Sequence, residues 1–444
     1  MSSLRPLAVG LLMMGVMATY VPQASAQWTA MKRGSDNIDV VAHLPLGGRV
    51  SAADNDIEQE LSRPYAYVGR ISNGGGGKGV DIIDLSDPGN PEVLYEWRIE
   101  EPELHLGLGG MDVKYFKVGG RYYVVQSLQF GQGGPDSDLA AVVLDVTDLP
   151  DPSKVREVAR MREPLMPGGF HNIFVYKHSD GRVLLFATVG GPFANVYDLG
   201  MVVQGADAET ALAGRVPVPQ EAASGAGYHD FYVGYHPDTD QDRFYGGGTG
   251  GYYVYDVTDL ENPALRISLT GASGVARGHT FTPSPDGRYV VAETEYQFAP
   301  LRIFDLKPAL DGEVSNINRP ISGWTADFNN LSHNHEVRWP LVFVSSYLDG
   351  VQIFNLQDPT NPVTVGYYDT YIGPRFTEDL NPILNGTFGV GVRNADGLII
   401  GSDSSTGLWV FRMDGFQGWN GEQWGMPDIS SAQKWDAPAR RPIS

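Results

Sequence analysis

The sequence predicts an all-β chain folded as a seven-bladed β-propeller, with the N-terminal strand closing the last blade. Its composition is the first reason: 55 Gly, 30 Pro, 22 Tyr and 8 Trp in 444 residues describe a chain rich in turns and aromatic rings. Helical periodicity is hard to find in it. The second reason is a pattern that recurs seven times, at intervals from 49 residues (Asp256 to Asp305) to 61 (Asp84 to Asp145). That spacing suits blades of four strands each.

Each repeat is an apolar β run, then Asp or Asn, a turn and usually a second apolar run. Clear copies are "GVDIIDLSDPGNPEVL" (79–94) and "GVQIFNLQDPTNPVTV" (350–365). The equivalent positions are Asp84, Asp145, Asp198, Asp256, Asp305, Asn355 and Arg412. Asp and Asn side chains cap the turn that follows them. We therefore interpret these residues as structural rather than catalytic.

The last repeat, ending at "GLWVFRMDG" (407–415), lacks a following outer strand, whereas "NIDVVAHLPLGG" (37–48) resembles an outer strand without a blade. An open sheet edge would expose unpaired backbone groups. The N-terminal strand is therefore expected to complete the last blade, in a propeller spanning residues 27–415. His43 lies on this strand, far from the axis, and is interpreted as structural. Residues 416–444 are expected to form a tail packed along the outside of the propeller.

The first 26 residues have the basic start, short apolar run and small residues of a secretory signal peptide. We expect an exported protein, periplasmic or secreted, without a membrane span. The formal net charge of −21 argues against nucleic acid as a partner. With no cysteine in the chain, disulfides and thiolate metal ligands are excluded.

The repeats resemble the LVIVD family, whose consensus runs roughly as "gL.IvDvSdP.nP"; the corresponding segments here are "GVDIIDLSDPGNP" and "GVQIFNLQDPTNP". The resemblance covers residues 36–415. It implies an exported propeller and assigns no activity, because most LVIVD-type propellers have no assigned function.

Each blade should begin with an inner strand whose first residues lie near the central axis. The aligned first residues are Asn55, Met111, His171, His229, His279, His335 and Phe388. Four consecutive blades thus offer a histidine at one geometric position, which predicts a metal site formed by His171, His229, His279 and His335. Imidazole ligands suit divalent transition metals. Iron or copper would support oxygen chemistry, and zinc would support hydrolysis or a structural role.

Two further residues are candidates for a catalytic role. His333 precedes His335 by two positions, so both side chains point to one face of a strand, with His333 nearer the mouth. His333 could be a proton shuttle, a hydrogen-bonding partner of a ligand or a replacement ligand. Ligating histidines usually donate their second nitrogen to a carboxylate. Glu293 is the first choice for that acceptor. Other candidates are Glu295, Glu336, Asp230 and Asp112.

The remaining histidines are assigned no function. His178 and His236 fall near hairpins at the far end of the inner strands and are expected at the surface. His105 is expected in a loop.

The segment "YHDFYVG" (228–234) is locally similar to the "HDF" segment of the carotenoid cleavage dioxygenases. In that family four histidines on a propeller axis hold iron, with glutamates outside them. The similarity covers three or four residues and implies that His229 is a metal ligand.

Two functions follow from the sequence. The first is an exported metal-dependent oxidase or dioxygenase acting on a small apolar or aromatic substrate, since the entrance loops carry aromatic residues such as Phe130, Phe193 and Phe298. The alternative is a non-catalytic propeller that serves as a protein-interaction or ligand-binding scaffold, with a structural metal or none.

Overall fold

The computed structural model describes residues 32–48, 50–72, 77–131, 133–219, 227–373 and 384–441. These residues form seven antiparallel sheets of four strands each, arranged as the blades of a β-propeller. The predicted fold class is therefore confirmed. The predicted signal peptide lies outside the described residues.

The first four blades follow one another along the chain. Blade 1 contains β2 (Ala52–Ile57), β3 (Tyr65–Arg70), β4 (Gly79–Asp84) and β5 (Glu92–Arg98). Blade 2 contains β6 (Gly109–Val118), β7 (Arg121–Gln129), β8 (Leu139–Asp145) and β9 (Arg156–Arg162). Blade 3 contains β10 (Ile173–Lys177), β11 (Val183–Thr188), β12 (Phe193–Asp198) and β13 (Leu212–Pro217). Blade 4 contains β14 (Tyr228–His236), β15 (Gln241–Gly248), β16 (Gly251–Asp256) and β17 (Ala264–Thr270).

The last three blades complete the ring. Blade 5 contains β18 (Phe281–Pro283), β19 (Tyr289–Ala292), β20 (Leu301–Asp305) and β21 (Ser322–Trp324). Blade 6 contains β22 (His335–Arg338), β23 (Leu341–Ser345), β24 (Val351–Asn355) and β25 (Val363–Tyr368). Blade 7 contains β26 (Thr387–Val392), β27 (Ile399–Asp403), β28 (Gly407–Met413) and, as its outer strand, β1 (Ile38–Leu44).

The helices of the described residues are single turns. They are α1 (Leu199–Val202), α2 (Ala208–Ala211) and α3 (Lys307–Leu310), with 3₁₀ turns at Pro102–Leu104, Pro152–Lys154 and Gly421–Trp424. Among the described residues no helix has the length and apolar character needed to cross a membrane.

The repeated Asp or Asn lies at the end of the third strand in the first six blades. Each accepts a hydrogen bond from the backbone N–H two residues later: the distance is 2.7 Å for Asp84, 2.8 Å for Asp198 and 2.9 Å for Asp305. This Asx turn directs the chain towards the outer strand. The structural interpretation of these residues is confirmed.

β1 pairs with β28 in antiparallel register from Ile38 opposite Met413 to Leu44 opposite Leu408. On this outer strand His43 stacks on Trp409, with 4.0 Å between ring centroids. The predicted closure of the last blade by the N-terminal strand is therefore confirmed.

Burial decreases from the axis outwards. In blade 1 every residue of β3 is buried, whereas on β5 only Trp97 is buried and the other residues are exposed or half-buried. Apolar side chains fill the spaces between neighbouring blades, as where Phe186 of blade 3 contacts Phe244 of blade 4 with ring centroids 5.9 Å apart. This packing fixes the seven inner strands around the axis. We call the end of the axis where these strands begin the upper face.

Two histidines at the lower face differ from the surface location expected of them. His178 is buried, with Nδ1 2.9 Å from Asp180 and Nε2 3.2 Å from Asp242. His236 is buried and its Nε2 accepts a hydrogen bond of 2.9 Å from the hydroxyl of Tyr245. The reason is that these hairpins fold against the neighbouring blade instead of extending into solvent.

The C-terminal tail crosses the lower face. Trp419 donates to the carbonyl of Trp339 in blade 6 over 2.9 Å, and the backbone of Arg440 donates to the carbonyl of Ser179 in blade 3 over 2.7 Å. Between these anchors, Ser431, Ala432, Gln433 and Trp435 line the end of an axial cavity of about 90 Å³ that the inner strands enclose. The tail therefore covers the lower end of the axis.

Candidate metal centre

The inner strands begin irregularly at the upper face. In blade 4 the ladder passes from Tyr228 opposite Gly248 to Asp230 opposite Gly247, so His229 is the extra residue of a β-bulge. In blade 7 the same shift makes Phe388 the extra residue. Bulges re-aim a side chain and are common beside functional sites.

In blades 3, 5 and 6 the equivalent residue precedes the inner strand by two positions. The backbone N–H of His279 donates to the carbonyl of Glu293 over 2.9 Å, and that of His333 donates to the carbonyl of Ser345 over 2.8 Å. His171 likewise lies two residues before β10. These contacts put His333, and not His335, in register with the other three histidines.

The residues that occupy this equivalent position at the start of the seven inner strands are Ala53, Met111, His171, His229, His279, His333 and Phe388. The sequence alignment placed Asn55 and His335 here, and it is corrected by two residues in blades 1 and 6. The alignment assumed that side chains alternate strictly from the first residue of each strand. It therefore missed the irregular residues that precede the regular strand in these two blades. His335 lies two residues deeper and lines the axial cavity.

The four histidine rings contact one another in blade order. Ring centroids are 4.5 Å apart for His171 and His229, 4.2 Å for His229 and His279, and 4.9 Å for His279 and His333. We call this set the histidine arc. Beyond it, the ring of His333 contacts that of Phe388 at 4.2 Å, where the arc ends.

In three members of the histidine arc, Nδ1 lies within hydrogen-bonding distance of an oxygen atom that can accept a hydrogen bond. Nδ1 lies 2.9 Å from the Thr280 hydroxyl for His279, 2.6 Å from the carbonyl of Phe388 for His333, and 3.3 Å from Oε1 of Gln129 for His171. The Thr280 hydroxyl donates to Asp230 or Asn334, so it accepts from His279. A neutral imidazole that donates from Nδ1 carries its lone pair on Nε2.

Glu295 extends its carboxylate towards Nε2 of His279 and Nε2 of His229, and Nδ1 of His229 has no hydrogen-bond partner among the described residues. Its Oε2 lies 3.5 Å from Nε2 of His279 and 3.9 Å from Nε2 of His229. His229, His279 and Glu295 each offer a ligand atom, and the three atoms lie within 4.8 Å of one another. Nε2 of His279 is buried without a hydrogen-bond partner among the described residues.

The 3.5 Å between Oε2 of Glu295 and Nε2 of His279 is the separation of two ligand atoms on one metal ion, whereas the 3.9 Å to Nε2 of His229 would have to shorten by a few tenths of an ångström. Two ligand atoms that are each about 2.1 Å from one metal stand roughly 3.0 to 3.6 Å apart when their bonds meet at 90 to 120°. Without an ion, the lone pairs of Glu295 and His279 would face each other across 3.5 Å with no proton between them. A bound cation removes that repulsion.

The carboxylate of Glu293 lies behind His279. Its Oε2 is 2.8 Å from Nδ1 of His279, and its backbone carbonyl accepts a hydrogen bond of 2.6 Å from the hydroxyl of Tyr252. Burial, followed by the charge of Glu295, raises the pKa of Glu293 well above its usual value. Glu293 thus places a carboxyl group behind the imidazole of His279, the side from which such a group can orient a ligating imidazole.

Burial also keeps the imidazoles neutral. It lowers the pKa of His279 well below the usual value, with further lowering by the neighbouring histidines. The pKa of His171 falls to about 4, for which burial is the largest cause and the charge of His333 the second. Neutral imidazole is the form that binds metals.

Two residues beside the site have backbones in the left-handed region. The φ angle is 49° at Glu295 and 38° at Tyr347. A non-glycine residue with such a φ angle is strained, by about 1–3 kcal/mol, and such residues concentrate at functional sites. The carboxylate of Glu293 accepts a hydrogen bond from the backbone N–H of Glu295, which supports this conformation.

The other side of the mouth is apolar. Ala53, Met111 and Phe388 pack together with Ile71, and we call Ala53, Met111 and Phe388 the apolar arc. On the side of the histidine arc, in the loops of blade 5 and before blade 6, the exposed rings of Phe298 and Phe328 contact each other at 5.8 Å. The upper face thus sets an apolar surface opposite a row of imidazoles. Of the other aromatic residues expected at the entrance, Phe130 is buried against His105 and Phe193 is half-buried.

His335 differs from the histidine arc in its surroundings. Both of its ring nitrogens are buried and have no hydrogen-bond partner among the described residues. Burial lowers its pKa to about 3. It is therefore a neutral imidazole without the carboxylate that His229 and His279 share.

The sequence contains a pattern that distinguishes His333 from His335 as the blade 6 member of the histidine arc. Each member of the histidine arc is followed by a short polar residue. The pairs are His171-Asn172, His229-Asp230, His279-Thr280 and His333-Asn334. His335 is followed by Glu336 and does not fit this pattern. Glu295, in turn, was only one of several carboxylate candidates, because its approach depends on a left-handed backbone.

Comparison with known proteins supports the fold and leaves the activity open. No family model matches the chain, and no curated protein matches it. Among solved structures it is similar to the crystal structure of Chaetomium thermophilum Raptor, with a TM-score of 0.55 and 10% sequence identity. The match covers 86% of this chain and 30% of that one. At this identity the similarity shows a shared fold alone.

Proposed function

We propose that this protein is a metal-dependent oxidoreductase whose metal is held by His229, His279 and Glu295. One observation carries the proposal: Oε2 of Glu295 faces Nε2 of His279 at 3.5 Å and Nε2 of His229 at 3.9 Å. His171 and His333 flank these residues and are available as further ligands.

The donor set favours iron(II) over copper and zinc. Two imidazoles and one carboxylate around a site with open positions are typical of non-haem iron(II) oxygenases. Bound iron(II) would supply one-electron and dioxygen chemistry at this site. Copper remains a candidate, because imidazole also suits it.

We propose a small apolar or aromatic substrate. The apolar arc would bind the carbon skeleton through contacts with Met111 and Phe388, and the histidine arc on the opposite side would face the reacting atoms. The exposed pair Phe298 and Phe328 adds a second apolar surface, in loops of blades 5 and 6. Apolar walls with a few convergent polar groups are usual in small-molecule sites.

His333 and Glu293 are assigned separate roles in this proposal. Nε2 of His333 is 3.9 Å from Oε1 of Glu295, so it can take up or release a proton beside the ligand set. Glu293 orients His279 from behind, at 2.8 Å from its Nδ1. Glu293 therefore acts through the ligand and does not contact the substrate.

We also propose that the protein is exported and is related to the LVIVD-type propellers. The apolar N-terminal segment supports export, and the repeated "DP..NP" turns support the relationship to LVIVD-type propellers.

Metal analysis tests the proposed function. The full chain, purified without an affinity tag, should contain about one equivalent of iron. A His229→Ala, His279→Ala double variant should contain none. His43→Ala serves as the matched control, because His43 lies on the outer strand of blade 7 and its loss leaves the axis intact.

If the protein carries iron, oxygen consumption should then be measured on apolar and aromatic compounds. If it binds no transition metal even when iron(II) or copper(II) is supplied, the metalloenzyme proposal is wrong. The histidine arc would then line a ligand-binding or protein-interaction scaffold.

A further inference from the structure

Tyr347 makes a contact that the proposed ligand set does not explain. It belongs to the loop after β23 in blade 6, and its hydroxyl donates to Oε1 of Glu295 over 2.7 Å. Glu295 belongs to blade 5, so the hydrogen bond joins two blades. Because Oε1 is occupied by this donor, Oε2 is the oxygen that faces His229 and His279.

The position of Tyr347 is held from several directions. Its backbone exchanges two hydrogen bonds of 3.0 Å with Thr387 of blade 7. Its ring lies 5.1 Å from that of His333 and 5.9 Å from that of Phe388. The side chain is buried, and its φ angle of 38° is one that this residue type rarely adopts. Such strain persists only where the surrounding structure enforces it.

We infer that Tyr347 is a positioning residue that makes Glu295 a metal ligand, by holding one carboxylate oxygen and leaving the other to the cation. The inference rests on the proposed function and deepens it. It specifies that the site contains two histidines and an oriented carboxylate, in place of the four histidines expected from the sequence. Without the tyrosine hydroxyl, the partly exposed Glu295 side chain would be free to turn towards solvent.

The experiment measures cobalt(II) binding, because cobalt(II) gives visible absorption bands that report the number and type of its ligands. In Tyr347→Phe the ring contacts with His333 and Phe388 remain and only the hydroxyl is lost. We expect cobalt(II) affinity to fall about 10- to 100-fold, the usual effect of removing a hydrogen-bonding partner of a ligand. The bands should also shift as the carboxylate leaves the coordination sphere.

Tyr367→Phe is the matched control. Tyr367 is another buried tyrosine of blade 6, and its hydroxyl has no hydrogen-bond partner among the described residues. Its loss should leave both the affinity and the spectrum unchanged. Circular dichroism of each variant shows whether it is folded.

A double-variant comparison separates positioning from a general structural effect. If Tyr347 acts through Glu295, Glu295→Ala should lower cobalt(II) affinity, and adding Tyr347→Phe to it should lower it no further. Equal, independent losses from the two changes would overturn the inference. So would a Tyr347→Phe protein with wild-type affinity and spectrum, and either result leaves the proposed metal site intact. A wild-type chain that binds no cobalt(II) would instead remove the proposed function and this inference together.

Discussion

At the scale of single residues, the site depends on which histidine of blade 6 reaches the axis. His333 contacts His279 at 4.9 Å between ring centroids, whereas His335 lies deeper, with both nitrogens unpartnered among the described residues. The structure therefore separates two histidines that alternation along a strand treats as neighbours on one face.

His335→Leu tests this separation. We expect the variant to retain the full metal content, because His335 is not near the carboxylate of Glu295. Its free energy of unfolding should change by no more than about 1 kcal/mol, since an apolar side chain replaces buried nitrogens that have no hydrogen bonds to lose. Metal analysis and urea unfolding measure the two quantities.

His279→Leu provides the comparison and should lose the metal. Metal loss in His335→Leu at unchanged stability would contradict the assignment and restore His335 as a ligand.

Part of this site could be predicted from the residues. The histidines at positions 171, 229 and 279 were found, because each begins an inner strand at a recurring interval. His335 was chosen over His333 because the irregular residues that precede the regular inner strand of blade 6 leave no mark in a hydrophobic pattern. The role of Glu295 depends on a left-handed backbone, which sequence periodicity does not encode.

At the scale of strands, ring closure rests on the pairing of β1 with β28. The chain has no cysteine, so a disulfide can be added without competing thiols. Ile38 and Met413 lie opposite each other. Opposed residues of antiparallel strands have Cα atoms about 4.5–5.5 Å apart, within the range of a disulfide.

An Ile38→Cys, Met413→Cys variant should therefore be more stable when oxidised than when reduced, by about 2–4 kcal/mol, because the bond closes nearly the whole chain into a loop. Thermal unfolding with and without reductant measures the difference. Equal stability of the two forms would show that opening of this blade does not limit the stability of the propeller.

The hairpin that carries His236 at the lower face makes the free energy of unfolding depend on pH. Burial, and then the charge of Arg243, lowers the pKa of His236 from 6.5 to about 3. Between these two pKa values, His236 therefore binds a proton in the unfolded chain and none in the folded chain. The contribution that neutral His236 makes to the free energy of unfolding is fully present above pH 6.5 and is lost as the pH falls from 6.5 towards 3.

In His236→Gln the carbonyl oxygen can still accept the hydrogen bond from Tyr245, but nothing titrates. Between pH 6.5 and pH 5 the wild-type protein should lose up to about 2 kcal/mol more stability than the variant. Urea unfolding at the two pH values measures this, and equal losses would contradict the burial of a neutral His236.

The ends of the third strands were the most predictable elements. Asp84 and Asp305 terminate their strands and cap the next turn as their sequence context indicates, since the capping hydrogen bonds span only two residues. The burial of His236 could not be predicted, because it depends on packing against another blade.

At the scale of the whole molecule, the tail covers the lower end of the axis while the candidate metal centre opens at the upper end. The ring of Trp435 packs against Tyr115 with centroids 6.0 Å apart, and Ser431 donates to the carboxylate of Glu336. The lower end of the axis should therefore contribute to the stability of the fold, and the upper end to metal binding.

A chain ending at Gly425 tests this. Its free energy of unfolding should fall by at least about 3 kcal/mol, the usual cost of removing a buried tryptophan, and its metal content should not change. Trp424→Ala is the control, because this tryptophan of the same tail is exposed. Metal loss on truncation would show that the lower end supports the upper one.

The most direct test of the central claim is an anomalous difference map from crystals of the iron-loaded protein, collected on both sides of the iron absorption edge. One peak is expected on the axis at the upper face, within bonding distance of His229, His279 and Glu295. A map without a peak there, or with a single peak in the axial cavity beside His335, would contradict it.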